Sequence, residues 1–398
     1  ENSIAISHTE GHFPYAHLTR KMAAGGKRKA AETPAEGAND DALGLVAQAT
    51  SAKMMRTGDA STASDLAVHA AANGARGAGA LQAFKPGTHR TSSLDAPIML
   101  LEGHEDGVTG IKFSPDGAVV ASCGADKTLL LWNVRGECEN YMMMRGHKNA
   151  VLEMHWTPDG DTLLTCSPDK TVRAWDAHRG EQIKKMQAHS AFVNSCCPAP
   201  KGPPLVVSGS DDGTAKLWDL RTKGCVSTFP DKFQITSVAF AADSSKFYSG
   251  GIDNELKVWD LRVESEPVMT LRGHTDTITG LAVSPDGTHV LSNAMDCTLR
   301  MWDMRPYAPE DRCVKYFTGH QHNFEKTLLK CAWSPDGAKV SAGSSCHNVH
   351  VWDVGTRRLL YKLPGHLGTV NEVAFHPKEP IIGSAGADRR IYLGELEN

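Results

Sequence analysis

From residue 96 to the C-terminus, short runs of apolar and β-branched residues alternate with polar positions. "GVTGIKFS" (107–114) has this alternation, and "VVASC" (119–123) and "TLLLW" (128–132) follow closely. A period of two puts one face of a strand into a core and the other toward solvent. Ser-Pro-Asp-Gly at 114–117 joins the first two runs. The device returns as Thr-Pro-Asp-Gly at 157–160 and as Ser-Pro-Asp-Gly at 284–287 and 334–337. Proline presets one turn dihedral, Asp bonds its own backbone and Gly accepts the left-handed position, so these are tight turns between antiparallel strands. Short strands with turn signals about every ten residues predict an all-β fold.

The pattern repeats. Trp-Asp or a near relative stands at Trp132-Asn133, Trp175-Asp176, Trp218-Asp219, Trp259-Asp260, Trp302-Asp303 and Trp352-Asp353, with successive Trp 43, 43, 41, 43 and 50 residues apart. A seventh unit ends at Gly394-Glu395, 42 residues further on, with Gly in the Trp position. Gly-His precedes the units at 103–104, 146–147, 273–274, 319–320 and 365–366. Ala188-His189 is a variant, and the fourth unit has Asp231-Lys232. An Asp lies six residues before the Trp position at Asp126, Asp169, Asp212, Asp253, Asp296 and Asp388. Trp156 and Trp333 match Phe113 and Phe375, so all eight Trp fall in repeat register.

A period near 42 carrying Gly-His and Trp-Asp resembles the WD-repeat β-propeller family over roughly residues 97–398. The resemblance implies a seven-bladed propeller in which a His, a Ser or Thr, an Asp and a Trp form a hydrogen-bonded chain within each blade. The matching residues are His104, Ser122, Asp126 and Trp132; His147, Thr165, Asp169 and Trp175; His189, Ser208, Asp212 and Trp218; and His274, Ser292, Asp296 and Trp302. A buried carboxylate needs such partners. Blade four lacks the His, blade six has Ala342 and Cys346 where Ser and Asp belong, and blade seven lacks the Trp. Those three are expected to rely on packing alone. In this family each repeat supplies the outer strand of one blade and three strands of the next. The segment 96–101, "APIMLL", is therefore expected to complete the last blade and seal the ring.

Residues 1–95 read as a flexible low-complexity tail. They contain no Trp and stretches such as "AAETPAEGANDDA", which cannot bury enough surface to offset the entropy of ordering. Lys27-Arg28-Lys29 is a short basic cluster of the kind that serves nuclear import, but three basic residues are read first as solvated tail charge. Met22 followed by small residues looks like a start, so residues 1–21 read as leader or appended sequence; they have no apolar core of signal-peptide length.

Charge and cysteines narrow the function. The net charge is −4, and over 96–398 it is 32 Lys/Arg minus 37 Asp/Glu, or −5. Nucleic acid is therefore unlikely as the main direct ligand, and RNA contact is expected to be indirect or minor. No run of apolar residues is long enough to span a bilayer. The ten cysteines include no C-x-x-C and no zinc spacing, so no metal and no cofactor is expected. No nucleophile elbow, phosphate loop or H-E-x-x-H occurs, and the recurring Asp and His sit at repeat positions, so no catalytic residue is expected.

The sixth unit departs from the repeat. Trp302 to His320 is 18 residues against 14 or 15 elsewhere, and His320 to Trp333 is 13 against 9 from His104 to Phe113. "RPYAPEDRC" and "HQHNFEK" thus enlarge one loop on each face, and unusual loops more often carry function than packing. His320 is the repeat's own histidine. His322, Asn323, Phe324, Glu325 and Lys326 are left over, a mixture suited to an exposed protein contact. A metal on His320 and His322 has no third ligand nearby in sequence.

"GHQHNFEKTLLKCAWSPDG" (319–337), "LSNAMDCTLRMWDMRPYAP" (291–309), "SGGIDNELKVWDLR" (249–262) and "YKLPGHLGTVNEVAFHPKEPII" (361–382) resemble the WD-repeat subunits of the U5 small nuclear ribonucleoprotein. This implies a nuclear, non-catalytic scaffold in pre-mRNA splicing. It would be a monomeric propeller in a large complex, bound to the large U5 scaffold protein and its neighbours. A different class remains open. Arg221, Arg262 and Arg305 each end a Trp-Asp-x-Arg box, which resembles the docking motif of substrate receptors in cullin-RING ubiquitin ligases.

Overall fold

The computed structural model describes residues 53–54, 91–323, 325 and 327–396. Seven antiparallel sheets follow one another, each with four consecutive strands wherever the chain permits. The first runs through Val108–Phe113, Val119–Gly124, Thr128–Asn133 and Asn140–Arg145, and the next five repeat the order. The chain is thus an all-β, seven-bladed propeller. Inner strands of neighbouring blades approach one another around a central channel, as Val108–Phe113 does Glu153–Trp156 on one side and Val370–Phe375 on the other.

The Pro-Asp-Gly turns form for the reasons their residues supply. At 114–117 the Ser114 hydroxyl donates to Asp116 Oδ1 at 2.5 Å and accepts from Val119 N at 3.0 Å. Gly117 closes the turn at φ 84°, a left-handed value that a side chain would strain.

The core lies between blades. Trp175 packs with Val151 and Met154 of its own blade against Leu129, Leu131 and Met144 of the blade before. The six repeat tryptophans, from Trp132 to Trp352, are all fully buried. Such burial contributes about 1.5–3 kcal/mol per large apolar side chain, which explains why the repeat spends its Trp here.

The last blade draws on both ends of the domain. Ile98–Glu102 lies antiparallel on Arg390–Glu395, pairing Ile98 with Gly394 and Glu102 with Arg390, outside Ile381–Gly386 and Val370–Phe375. Residues 91–95, which composition groups with the tail, also touch the propeller. Thr91 donates through N and Oγ1 to Glu395 Oε1 at 2.7 Å, and Leu94 is buried. Lys53–Met54 adds a two-residue backbone pairing to Met99 and Leu100. The remainder of the expected flexible tail, with the Lys27–Lys29 cluster and residues 1–21, lies outside the described residues.

Candidate functional site

In blade one His104 Nδ1 lies 2.8 Å from Asp126 Oδ2, His104 Nε2 lies 2.8 Å from Ser122 Oγ, and Trp132 Nε1 donates to Ser122 Oγ at 2.9 Å. One proton arrangement satisfies all of these groups: Nδ1–H to carboxylate, Ser O–H to Nε2, indole N–H to the Ser oxygen. Blade two repeats it with His147, Thr165, Asp169 and Trp175. Blade three uses His189, Ser208, Asp212 and Trp218. Blade five uses His274, Ser292, Asp296 and Trp302. Burial opposes ionisation of Asp169, Asp212 and Asp296, but the hydrogen bonds from His and Thr outweigh it and hold these carboxyls well below the usual range.

The three departing blades do not rely on packing alone, which corrects the expectation. In blade four the ammonium of Lys257 reaches both Asp231 Oδ1 and Asp253 Oδ2 at 2.5 Å, and Trp259 Nε1 still donates to Ser249 Oγ at 2.8 Å. A cation from the third strand replaces the imidazole from the loop. Lys257→Met should therefore leave two acidic groups facing each other and cost about 3 kcal/mol by chemical denaturation. A change under about 1 kcal/mol would show that the pair is dispensable. Blade seven keeps His366 against Asp388 at 3.0 Å and Ser384 at 2.9 Å, with Tyr392 edge-on to the imidazole at 4.8 Å. In blade six Trp352 Nε1 turns to the Thr318 carbonyl at 3.1 Å, and His320 Nε2 crosses to Asn293 Oδ1 of blade five at 2.8 Å. His320 thus holds the repeat's position without the repeat's partners, because Ala342 and Cys346 offer it neither hydroxyl nor carboxylate.

The enlarged loop after His320 was expected to present an exposed contact. His322 contradicts this. Its ring is edge-on to His320 at 5.7 Å, and both ring nitrogens are buried without a hydrogen-bond partner. The loop folds over the gap left by the missing blade partners and covers the imidazole. Among the described residues no three metal-ligating side chains converge. Asn323 is half-buried and donates to Glu325 Oε2 at 3.2 Å, while Phe324 and Lys326 lie outside the described residues. Glu325 is exposed and stands at the mouth of the central channel with Asp106, Asn149, Phe192 and Thr327.

Burial lowers His320 to about 3 and His322 to about 4, with His322 and His350 adding to the first effect and Asp296 and Asp276 opposing the second. Folding therefore excludes protons that the unfolded imidazoles, near 6.5, would bind. Their contribution to stability is present above pH 6.5 and is lost as pH falls toward 4. Melting temperature should decline between pH 6.5 and 4, and the decline should shrink in His322→Gln. An unchanged slope in that variant would contradict the burial of this ring.

Four charged residues within the channel escaped the sequence reading. Lys112 Nζ meets Glu372 Oε1 at 2.6 Å, and Lys330 Nζ meets Glu153 Oε2 at 3.3 Å. Burial works against the charge on Lys112 and on Glu153, but it is outweighed by the attraction and hydrogen bond of Glu372 for the first and by Lys330 together with His155 for the second. The available signal was a charge interrupting an apolar inner strand, as in "GIKF" at 110–113.

On the opposite face Asp219 holds Arg221 in a two-pronged pair at 3.0 and 2.7 Å, and Asp303 holds Arg305 at 3.0 and 2.5 Å. Both arginine side chains remain more than 60% exposed, at 64% and 63%. Hydrogen bonding from each guanidinium pulls its Asp down to about 2. Arg262 is exposed, and its backbone N–H donates to Asp260 Oδ1 at 3.0 Å.

Seven blades, four of them carrying the complete network, define a WD-repeat propeller. The family described as "WD domain, G-beta repeat" matches residues 95–133, 138–176, 180–219, 223–260, 265–303, 311–353 and 357–393, and the chain belongs to it. The chain is 57% identical over 332 residues to the "U5 small nuclear ribonucleoprotein 40 kDa protein" of Mus musculus, covering 82% of this chain and 92% of that protein. It is 51% identical over 311 residues to the protein of that name in Dictyostelium discoideum, covering 78% and 88%. It is 43% identical over 307 residues to "Pre-mRNA-splicing factor cwf17" of Schizosaccharomyces pombe, covering 77% and 90%. Within the WD-repeat family the chain belongs with the U5 small nuclear ribonucleoprotein 40 kDa proteins.

Proposed function

We propose that this chain is a non-catalytic scaffold of the U5 small nuclear ribonucleoprotein, acting in pre-mRNA splicing in the nucleus. The observation that carries the reading is 57% identity running through nine-tenths of the relative's length, at 92%. The chemistry agrees with it. The recurring His, Asp and Ser side chains are engaged with one another, so their polar atoms are committed to holding blades together. The partners are spliceosomal proteins, above all the large U5 scaffold protein and its neighbours. They dock on the channel mouth around Asp106 and Glu325 rather than on His322. A basic, extended segment of a partner fits that acidic rim.

Purification of the tagged full-length chain, with mass spectrometry of what accompanies it, tests the reading. U5 proteins are expected. Recovery of a cullin-RING adaptor without them would favour the second reading, which the rigidly held, outward-facing Arg221 and Arg305 make concrete. Replacement of the loop is a poor test of docking, because Leu328 is buried and His322 packs within. Glu325→Arg is cleaner. It should leave melting unchanged and weaken partner binding by roughly 1 kcal/mol, about fivefold in Kd by titration calorimetry. Unchanged affinity would remove the loop from the docking site.

A further inference from the structure

Cys346 occupies the position that six other units give to Asp. Its turn keeps the repeat's geometry: Cys346 N donates to Ser344 Oγ at 3.3 Å, as Asp169 N does to Ser167 Oγ and Asp212 N to Ser210 Oγ, both at 3.2 Å. Two side-chain donors of the turn are aimed here at sulfur. Ser344 Oγ lies 3.2 Å from Cys346 Sγ, and Asn348 Nδ2 lies 3.4 Å from it. Asn348 stands where Thr171 and Thr214 donate to their Asp.

A second observation comes from the third strand. Four residues after the Asp, blade two places Arg173 against Asp169 at 3.5 Å, and blade four places Lys257 against Asp253 at 2.5 Å. The same position in blade six is His350. It is 1% exposed, stacked on Trp352, and its Nδ1 has no hydrogen-bond partner. Two blades thus pair an anion with a cation at these positions, and blade six puts a thiol and an imidazole there.

We infer that Cys346 is a nucleophilic thiolate standing in for the repeat's carboxylate, and that it is a modification site for hydroperoxides and other small soft electrophiles. The thiolate attacks the distal oxygen of a hydroperoxide and the O–O bond breaks. Sulfur is oxidised to sulfenic acid, and the departing alkoxide or hydroxide takes a proton to leave as alcohol or water. The neighbouring His350 imidazole, with the hydrogen bonds of Ser344 and Asn348, outweighs burial and lowers the thiol to about 6. Two other half-buried thiols differ: burial raises Cys313 and drives Cys197 to about 12. The side chain is half-buried at the surface turn, so small reagents reach it. An adduct there would also disturb the candidate docking loop. Gln321 N donates to Ser344 Oγ at 2.8 Å, and Ser345 Oγ donates to the Gln321 carbonyl at 2.9 Å.

The test is limited alkylation of the full-length protein with iodoacetamide between pH 5 and 9, read at all ten cysteines by peptide mass spectrometry. At pH 6 Cys346 should react about ten times faster than an ordinary thiol, the gain in thiolate outweighing its lower intrinsic nucleophilicity. Its rate should have a midpoint near pH 6, and dilute hydrogen peroxide should give a dimedone-trappable sulfenic acid at the same residue. His350→Gln should move the midpoint up by a unit or more. Cys346→Asp, which restores the repeat's own residue, should abolish the fast adduct while melting holds. If Cys346 labels no faster than Cys297 or Cys313, or its midpoint lies above pH 8, the inference is overturned. A folded His350→Gln protein with an unchanged midpoint would equally overturn it.

Discussion

Excision of residues 96–101 should lower the melting temperature by roughly 10 °C or more, whereas removal of residues 1–90 should change it little. The segment contributes Met99, Leu100 and Leu101, all essentially buried at 0%, 3% and 0% exposure. At about 1.5–3 kcal/mol each, their burial approaches the whole net stability of an ordinary domain, about 5–15 kcal/mol. That sum corresponds to about 10 °C in a propeller of about 300 residues, at about 2 °C or a little less per kcal/mol. Excision also strips Arg390–Glu395 of its partner strand and leaves a free edge beside an opened ring. Thermal melts of both truncations decide the matter. If the short excision melts with the intact protein, the ring does not depend on this strand.

Trp218→Ala should destabilise by roughly 3–5 kcal/mol, the usual cost of emptying a buried aromatic site. Trp218 is 1% exposed and packs against Leu164, Val172 and Val193, so the cavity would lie between two blades rather than at a surface that can collapse. The change also removes the N–H that Ser208 Oγ accepts at 2.8 Å. Trp218→Phe should cost less, because it refills most of the volume and loses only that bond. Asp212→Ala attacks the same chain from its other end. It leaves His189 Nδ1, Ser190 N and both donors of Thr214 without their acceptor, at about 1–3 kcal/mol. Denaturant titration followed by circular dichroism measures all three. A Trp218→Ala midpoint within about 1 kcal/mol of the parent would contradict the packing described.

The architecture was legible because its signals are local and repeated. Pro-Asp-Gly writes the turns, period-two runs write the strands, and six correlated Trp positions with Gly394 in the seventh fix the blade count where any single one would mislead. The four complete networks were legible for the same reason. The substitutes in the incomplete blades were not. Lys257 serves blade four from the third strand, a position at which blades one and six carry Leu130 and His350. Nothing in the spacing shows that one cation would bridge two Asp residues across a blade. His322 was misjudged because an insertion reads as exposed loop. Only the three-dimensional gap beside Ala342 and Cys346 shows that the loop has something to cover. The channel ion pairs join residues as far apart as Lys112 and Glu372, and no local pattern records such a contact.

The proposed function makes a 42.9 kDa chain with a single WD-repeat propeller a built-in part of a spliceosomal particle. Sedimentation of the tagged, full-length chain from nuclear extract, with U5 small nuclear RNA followed across the same gradient, tests it directly. The account predicts that most of the chain travels in the fast-sedimenting fractions that hold that RNA, and that Glu325→Arg moves part of it toward the top of the gradient with its fold intact. A chain that sediments at its own monomer mass, away from the U5 RNA, would contradict it.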